Sequence, residues 1–166
     1  MERIELLVKE ISTILLDKGL TIGTAESCTS GLIAASLASI DGASKYFRGG
    51  IISYATDLKT SLLDVDEDCI EENDVVSAQV AQSMALGGLK KLNVDVCVGI
   101  TGYVGLTGGS EKSPRGTVWI CSCRKLASGK YTFLYRMIIV NGSRGENIQK
   151  AIENALEIVF DHIKEE

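Results

Sequence analysis

Apolar positions in this chain recur at two different spacings, and the switches between them outline alternating helices and strands. Ile4, Leu7, Val8, Ile11, Ile14 and Leu15 fall on one face of an N-terminal helix, which Lys18-Gly19 ends with a left-handed glycine cap. The run from Leu20 predicts a short buried strand over 20–24, followed by a helix over about 28–40 that Asp41-Gly42 closes. Residues 46–55 read as a strand around Gly49-Gly50, and 57–63 as a short helix. Ser77 is expected to cap a helix reaching about Leu92, and the Gly87-Gly88 pair within it implies close packing against a neighbour. Val94 to Ile100 is almost wholly apolar and predicts a strand running into a glycine-rich loop. Strands over 116–124 and 131–140 are expected to pair antiparallel through a turn at Ser128-Gly129. Ser143 and Glu146 have the spacing of a capping box, and Ile148, Ile152, Ala155, Leu156, Val159 and Ile163 form the buried stripe of a last helix. No repeat or linker interrupts this order, which predicts one layered α/β domain with a mixed sheet.

Composition narrows the function classes. The 166 residues suffice for one proper core. A net charge of −5 with no Lys/Arg cluster argues against nucleic acid as a partner. No apolar run reaches membrane-spanning length, and Met1-Glu2-Arg3-Ile4-Glu5 has no signal-peptide pattern, so no membrane association and a cytoplasmic location are expected. Cysteines at 28, 69, 97, 121 and 123 are odd in number and lack zinc-knuckle spacing. They read as reduced thiols, with no metal site. The one histidine, His162, lies near the end of the last helix and is expected to be solvated, which makes a Ser-His-Asp or Cys-His centre a poor candidate.

The chemistry-bearing stretch is Thr24-Ala25-Glu26-Ser27-Cys28-Thr29-Ser30-Gly31, at a strand-to-helix junction. A hydroxyl there either caps the helix, its commoner use, or attacks a carbonyl while amides near Cys28 and Thr29 receive the oxyanion. Without a usable histidine, a nucleophilic Ser27 needs a lysine, carboxylate or tyrosinate as its base. Tyr54 and Lys59, at the end of one strand and in the next short helix, can both reach one strand end. The ordinary use of such a lysine is a solvated surface charge. Cys28 reads as a small apolar side chain packed under the turn.

The Thr24–Gly31 segment resembles the signature of the CinA C-terminal domain family, the nicotinamide-nucleotide amidases. Agreement continues through Gly42-Ala43-Ser44, Phe47-Arg48-Gly49-Gly50, Tyr54 with Lys59, Val76-Ser77, Thr101-Gly102, Gly108-Gly109-Ser110-Glu111-Lys112, Pro114 and Gly116-Thr117-Val118. The resemblance covers nearly the whole chain, 1–166, as one amidase domain, and the separate N-terminal domain of longer members is expected to be missing. It implies a three-layer α/β/α sandwich that hydrolyses nicotinamide mononucleotide to nicotinate mononucleotide and ammonia, a reaction of pyridine nucleotide salvage. Ser27 is then the nucleophile with Lys59 and Tyr54 its activating partners, and neither cofactor nor metal is required. The implied partner is a small-molecule pyridine nucleotide, alongside a homo-oligomer of unspecified size. Substrate contacts fall to Cys28, Thr29, Gly31, Thr101, Gly102, Gly105, Gly108 and Gly109, because amides of a glycine-rich loop at a strand end converge on a phosphate or ribose. Arg48, Lys112 or Arg115 would add positive charge.

Four departures from the family pattern bear on specificity. Ser30 replaces a usual glycine, Tyr103 and Leu106 interrupt a small-residue loop, Ser113 is an insertion before Pro114, and Arg115 replaces a small apolar residue. Tyr103 either stacks on a pyridinium ring or fills the pocket, with obstruction the favoured outcome. The alternatives to the amidase are a catalytically silent nucleotide-binding or scaffold module and an amidase for a different small amide.

Overall fold

The computed structural model describes residues 2–166. Its three parallel strands are β1 (Ile22–Glu26), β2 (Phe47–Ile52) and β3 (Val96–Gly102). An antiparallel pair, β4 (Thr117–Lys125) and β5 (Tyr131–Ile139), extends them to one sheet of order β2-β1-β3-β4-β5. The helices are α1 (Glu2–Lys18), α2 (Leu32–Leu37), α3 (Thr56–Leu63), α4 (Glu67–Asn73), α5 (Ala78–Leu92) and α6 (Arg144–Lys164), with a 3-10 turn at Ala43–Lys45. The periodicity placed the two long terminal helices and all five strands within a few residues. It missed α4 and the 3-10 turn, and made α2 twice as long as it is.

Each face of the sheet carries its own apolar cluster, which makes three layers, α/β/α. On one face Leu7, Ile11 and Leu15 of α1 and Ile152, Leu156 and Val159 of α6 pack with Ile33 and Leu37 of α2 against Ile22, Val98 and Ile120. On the other, Val80, Met84 and Leu89 of α5 lie with Leu63 and Val65 over Ala25, Cys97, Cys121 and Cys123. The glycine pair of α5 makes this second contact close. A Cβ at Gly87 would stand 2.0 Å from the Leu63 carbonyl oxygen, and one at Gly88 would stand 2.7 Å from Cys97 Sγ. Side chains at either position would drive α5 away from α3 and from the sheet.

His162 is buried, at 2% exposure, where a solvated residue was expected. Its ring nitrogens meet the Ser122 and Thr132 hydroxyls, each at 2.8 Å, because α6 lies across β4 and β5 with this position facing the sheet. Burial holds its pKa below the usual histidine value, with the nearby Arg124 charge adding to the effect. Cys97 and Cys121 are buried thiols whose ionisation burial suppresses. Among the described residues no helix is long and apolar enough to cross a membrane.

Candidate active site

The connection from β1 to β2 carries α2 over one face, whereas the return from β2 to β3 carries α3 to α5 over the other. β1 lies between its two parallel neighbours, so the chain diverges beyond its C-terminal end and leaves a crevice, as open α/β sheets do at a switch in strand order. A cleft of about 520 Å3 opens there. Ser27 follows β1 directly, Tyr54 lies just beyond β2, and Thr101 to Thr107 leave β3 along its wall.

Glu26 shapes the turn that carries Ser27. Its carboxylate is fully buried and accepts five hydrogen bonds. They come from the Thr24 and Thr29 hydroxyls at 2.9 and 2.7 Å and from the amides of Gly31, Ile33 and Ala34 at 3.2, 3.0 and 2.9 Å. The first amides of α2 are thus taken by an internal carboxylate, and no other side chain caps the helix. This corrects the cap reading: Ser27 is not the cap of α2, and the positive end of that helix is neutralised by Glu26. Among the described residues, the amides of Cys28 and Thr29 in the intervening turn have no acceptor within the protein. Ser30 adopts a left-handed conformation, φ 52°, which explains why glycine suits this position of the turn.

Lys59 is the buried cation of the cleft, at 1% exposure. Its Nζ donates to Ser27 Oγ at 2.9 Å, to the Ser53 carbonyl at 2.7 Å and, more weakly, to the Tyr54 carbonyl at 3.4 Å. None of these partners is charged, so burial lowers the ammonium pKa to about 8, opposed only by the nearby Cys28 thiol. Cys28 lines the cleft, but burial pushes its own thiol up to about 12 and leaves it unreactive.

The Tyr54 hydroxyl does not reach Ser27 or Lys59. The side chain is 56% exposed at the rim, where its oxygen accepts a hydrogen bond from Arg144 Nη2 at 3.0 Å. Arg144 is the first residue of α6, and nothing in the local sequence pattern singled it out. Among the described residues no carboxylate pairs with it. Gly105 leaves room for it, since a Cβ there would stand 3.1 Å from Arg144 Nη1. The rim therefore presents an uncompensated guanidinium braced by Tyr54. Val75, Val76 and Thr56 also line the cleft and were likewise missed by sequence reasoning.

The remaining predicted residues divide. Thr101, Gly102 and Gly105 line the cleft. The Thr29 hydroxyl and the Gly31 amide are engaged with Glu26 instead. Gly108 and Gly109, both at positive φ, fold the loop back so closely that a Cβ at Gly109 would meet the Arg115 amide at 2.4 Å. Arg48 sits in the irregularity where Ile22 pairs with Phe47 and Gly23 with Gly49, at the opposite end of β1 from Ser27. Its Nε caps α5 through the Leu92 carbonyl at 3.0 Å. Lys112 and Arg115 also bond main-chain carbonyls, of Glu72 and Leu106, and neither lines the cleft. Tyr103 stands on the cleft wall and leaves the space open.

The model of the CinA C-terminal domain matches residues 4–163. A CinA-like protein of Chlorobium limicola is 38% identical over 159 residues, covering 96% of this chain and 37% of its own length. This chain thus spans little more than a third of that relative. The crystal structure of a competence/damage-inducible protein from Agrobacterium tumefaciens superposes with a TM-score of 0.87 at 33% identity, over 96% of this chain and 94% of that one. A CinA superfamily protein from Klebsiella pneumoniae has the same fold, with a TM-score of 0.89 at 24% identity over 97% and 98% of the two chains. With its three-layer fold and its Ser27–Lys59 cleft, the chain belongs to the CinA C-terminal domain family.

Proposed function

We propose that this domain is a serine amidohydrolase that converts nicotinamide mononucleotide to nicotinate mononucleotide and ammonia. The observation that carries the reading is the buried contact of Lys59 Nζ with Ser27 Oγ at 2.9 Å. A lysine with a pKa of about 8 is neutral often enough near neutral pH to accept a proton. Neutral Lys59 takes the Ser27 hydroxyl proton as Oγ bonds to the carboxamide carbon. The tetrahedral oxyanion is held by the Cys28 and Thr29 amides. Collapse breaks the C–N bond, the Lys59 ammonium returns its proton to the departing nitrogen, and ammonia leaves an acyl-serine ester. Lys59 then takes a proton from water, the hydroxide adds to the ester carbon, and Ser27 recovers the proton as the acid is released.

Arg144 supports a substrate that carries an anion. A guanidinium without a carboxylate partner among the described residues, lining the same cleft as the nucleophile, suits the phosphate of a nucleotide substrate. On this reading the phosphate contact is Arg144 and not Arg48.

The test is ammonia release from a panel of pyridine nucleotides, their nucleosides and simple amides. The expected result is release from nicotinamide mononucleotide, with nicotinate mononucleotide as co-product, and none in Ser27→Ala. Binding without release would make the domain a nucleotide-binding module, and release from simple amides alone would reassign the substrate.

A further inference from the structure

We propose that Tyr103 is a specificity-determining wall that selects a planar, positively charged ring beside Ser27, and that Asp74 is the residue that positions it. The inference rests on the amidase reading for the location of the reacting amide.

Tyr103 directly follows β3, and its main chain is fixed on both sides. Its N–H donates to the Thr117 carbonyl, and its carbonyl accepts from Gly116, both at 2.9 Å. Tyr103 lines the cleft together with Ser27 and Arg144. Its hydroxyl donates to Asp74 Oδ1 at 3.1 Å. Gly108 lies alongside, where a Cβ would stand 3.6 Å from the ring carbon Cδ1. The side chain is therefore held at its tip by Asp74, flanked by Gly108, and anchored at its backbone by β4.

Asp74 is placed for this task at a cost. It ends α4 with φ 77° and ψ 152°, a region that glycine tolerates and other residues rarely occupy. A carboxylate persists there while gathering the Tyr103 hydroxyl, the Ser110 hydroxyl and the Val76 amide. Neighbouring bonds strap the loop to the same connection. Thr101 Oγ1 donates to the Val75 carbonyl, Ser113 Oγ to that of Val76, and Lys112 Nζ to that of Glu72. The wall is thus built before any substrate arrives, which limits the ordering cost of binding.

The chemistry of the wall favours a cationic ring. An aromatic face attracts a cation, and a phenol donating to a carboxylate carries more electron density in its ring. Oxidised nicotinamide mononucleotide has such a ring. Its reduced, dihydropyridine form has the same carboxamide, ribose and phosphate without the ring charge.

The experiment is calorimetric titration of both forms into Ser27→Ala, in which turnover does not intervene. The oxidised form is expected to bind more tightly. Adding Tyr103→Leu is expected to weaken the oxidised form by about two- to thirtyfold and leave the reduced form unchanged. Asp74→Gly relieves the backbone, keeps the fold and removes the tether, so it should give the same selective loss. Asp74→Asn keeps an acceptor oxygen and should restore the preference, which a merely structural role would not require. Equal loss for both forms, no loss, or Asp74→Asn behaving like Asp74→Gly overturns the proposal, as does failure of the oxidised form to bind. Ammonia release by the wild-type protein reports separately on the amidase reading.

Discussion

Arg144 and Tyr54, ninety positions apart in the chain, meet at 3.0 Å across the mouth of the cleft, the guanidinium donating to the phenol oxygen. The bond leaves the arginine's charge uncompensated while fixing where it stands. Replacing Arg144 with Gln is expected to raise KM for a phosphorylated substrate with little change for the corresponding nucleoside. A charge-assisted hydrogen bond contributes about 1.5–3 kcal/mol, roughly ten- to hundredfold in KM. Tyr54→Phe keeps the ring and loses only the brace, so its effect should be several-fold smaller. Steady-state kinetics on the nucleotide and nucleoside pair measure both, and equal losses on the two substrates would remove Arg144 from phosphate recognition.

The rate should follow the ionisation of Lys59. With its pKa lowered by burial to about 8, the neutral fraction grows with pH until that value. The expected profile of kcat/KM rises about tenfold per pH unit below 8 and levels above it. Lys59→Arg should be inactive, since guanidinium keeps its proton throughout this range. A rate that falls between pH 6 and 8 contradicts the assignment of Lys59 as base.

The same burial makes Lys59 a source of instability at neutral pH. Its folded pKa lies below the unfolded value, so between about 8 and 10.5 the unfolded chain binds more protons and stability rises with pH. Below pH 8 the full charge must be buried, which costs on the order of 3 kcal/mol. Lys59→Met escapes that cost but leaves the Ser53 carbonyl without its donor. It is expected to be inactive yet about 1–2 kcal/mol more stable at pH 7, an advantage that shrinks toward pH 10. Urea denaturation at several pH values tests this.

Ser30→Gly removes a side chain from a left-handed position, φ 52°, on an exposed turn. A gain of about 0.5–1 kcal/mol is expected, read as a higher thermal midpoint. A loss would mean that the serine hydroxyl contributes more than the backbone conformation costs.

His162 ties acid stability to the packing of α6 on the sheet. Its pKa is lowered in the folded state, so its contribution is fully present above the unfolded value of about 6.5. It is lost as pH falls from there toward the folded pKa, because the unfolded chain then binds the extra proton. Denaturation midpoints of His162→Gln should depend less on pH between 5 and 7 than those of the wild-type protein. Parallel pH dependence in the two proteins would place the acid sensitivity elsewhere.

The sequence by itself determined the five strands and the long helices, and which of their faces are apolar. The stripes of α1, α5 and α6, the apolar β3 and the glycine pair of α5 all express local spacing, and local spacing alone decides which side chains share a face. It left Ser27 and Lys59 as one candidate pair beside the commoner uses of a helix-cap serine and a surface lysine, and their roles as nucleophile and base were implied by the resemblance to the family. What stands around them was decided by the tertiary structure. The pairing of β2 with β1 puts Arg48 at the end of the strand away from the cleft, while the closing of α6 over the sheet brings Arg144 to the cleft's rim. The same closure buries His162, and the return of the β3 loop onto the α4–α5 connection gives Tyr103 its partner Asp74. Contacts between residues tens of positions apart depend on strand order and register, and periodicity within one element carries no information about either.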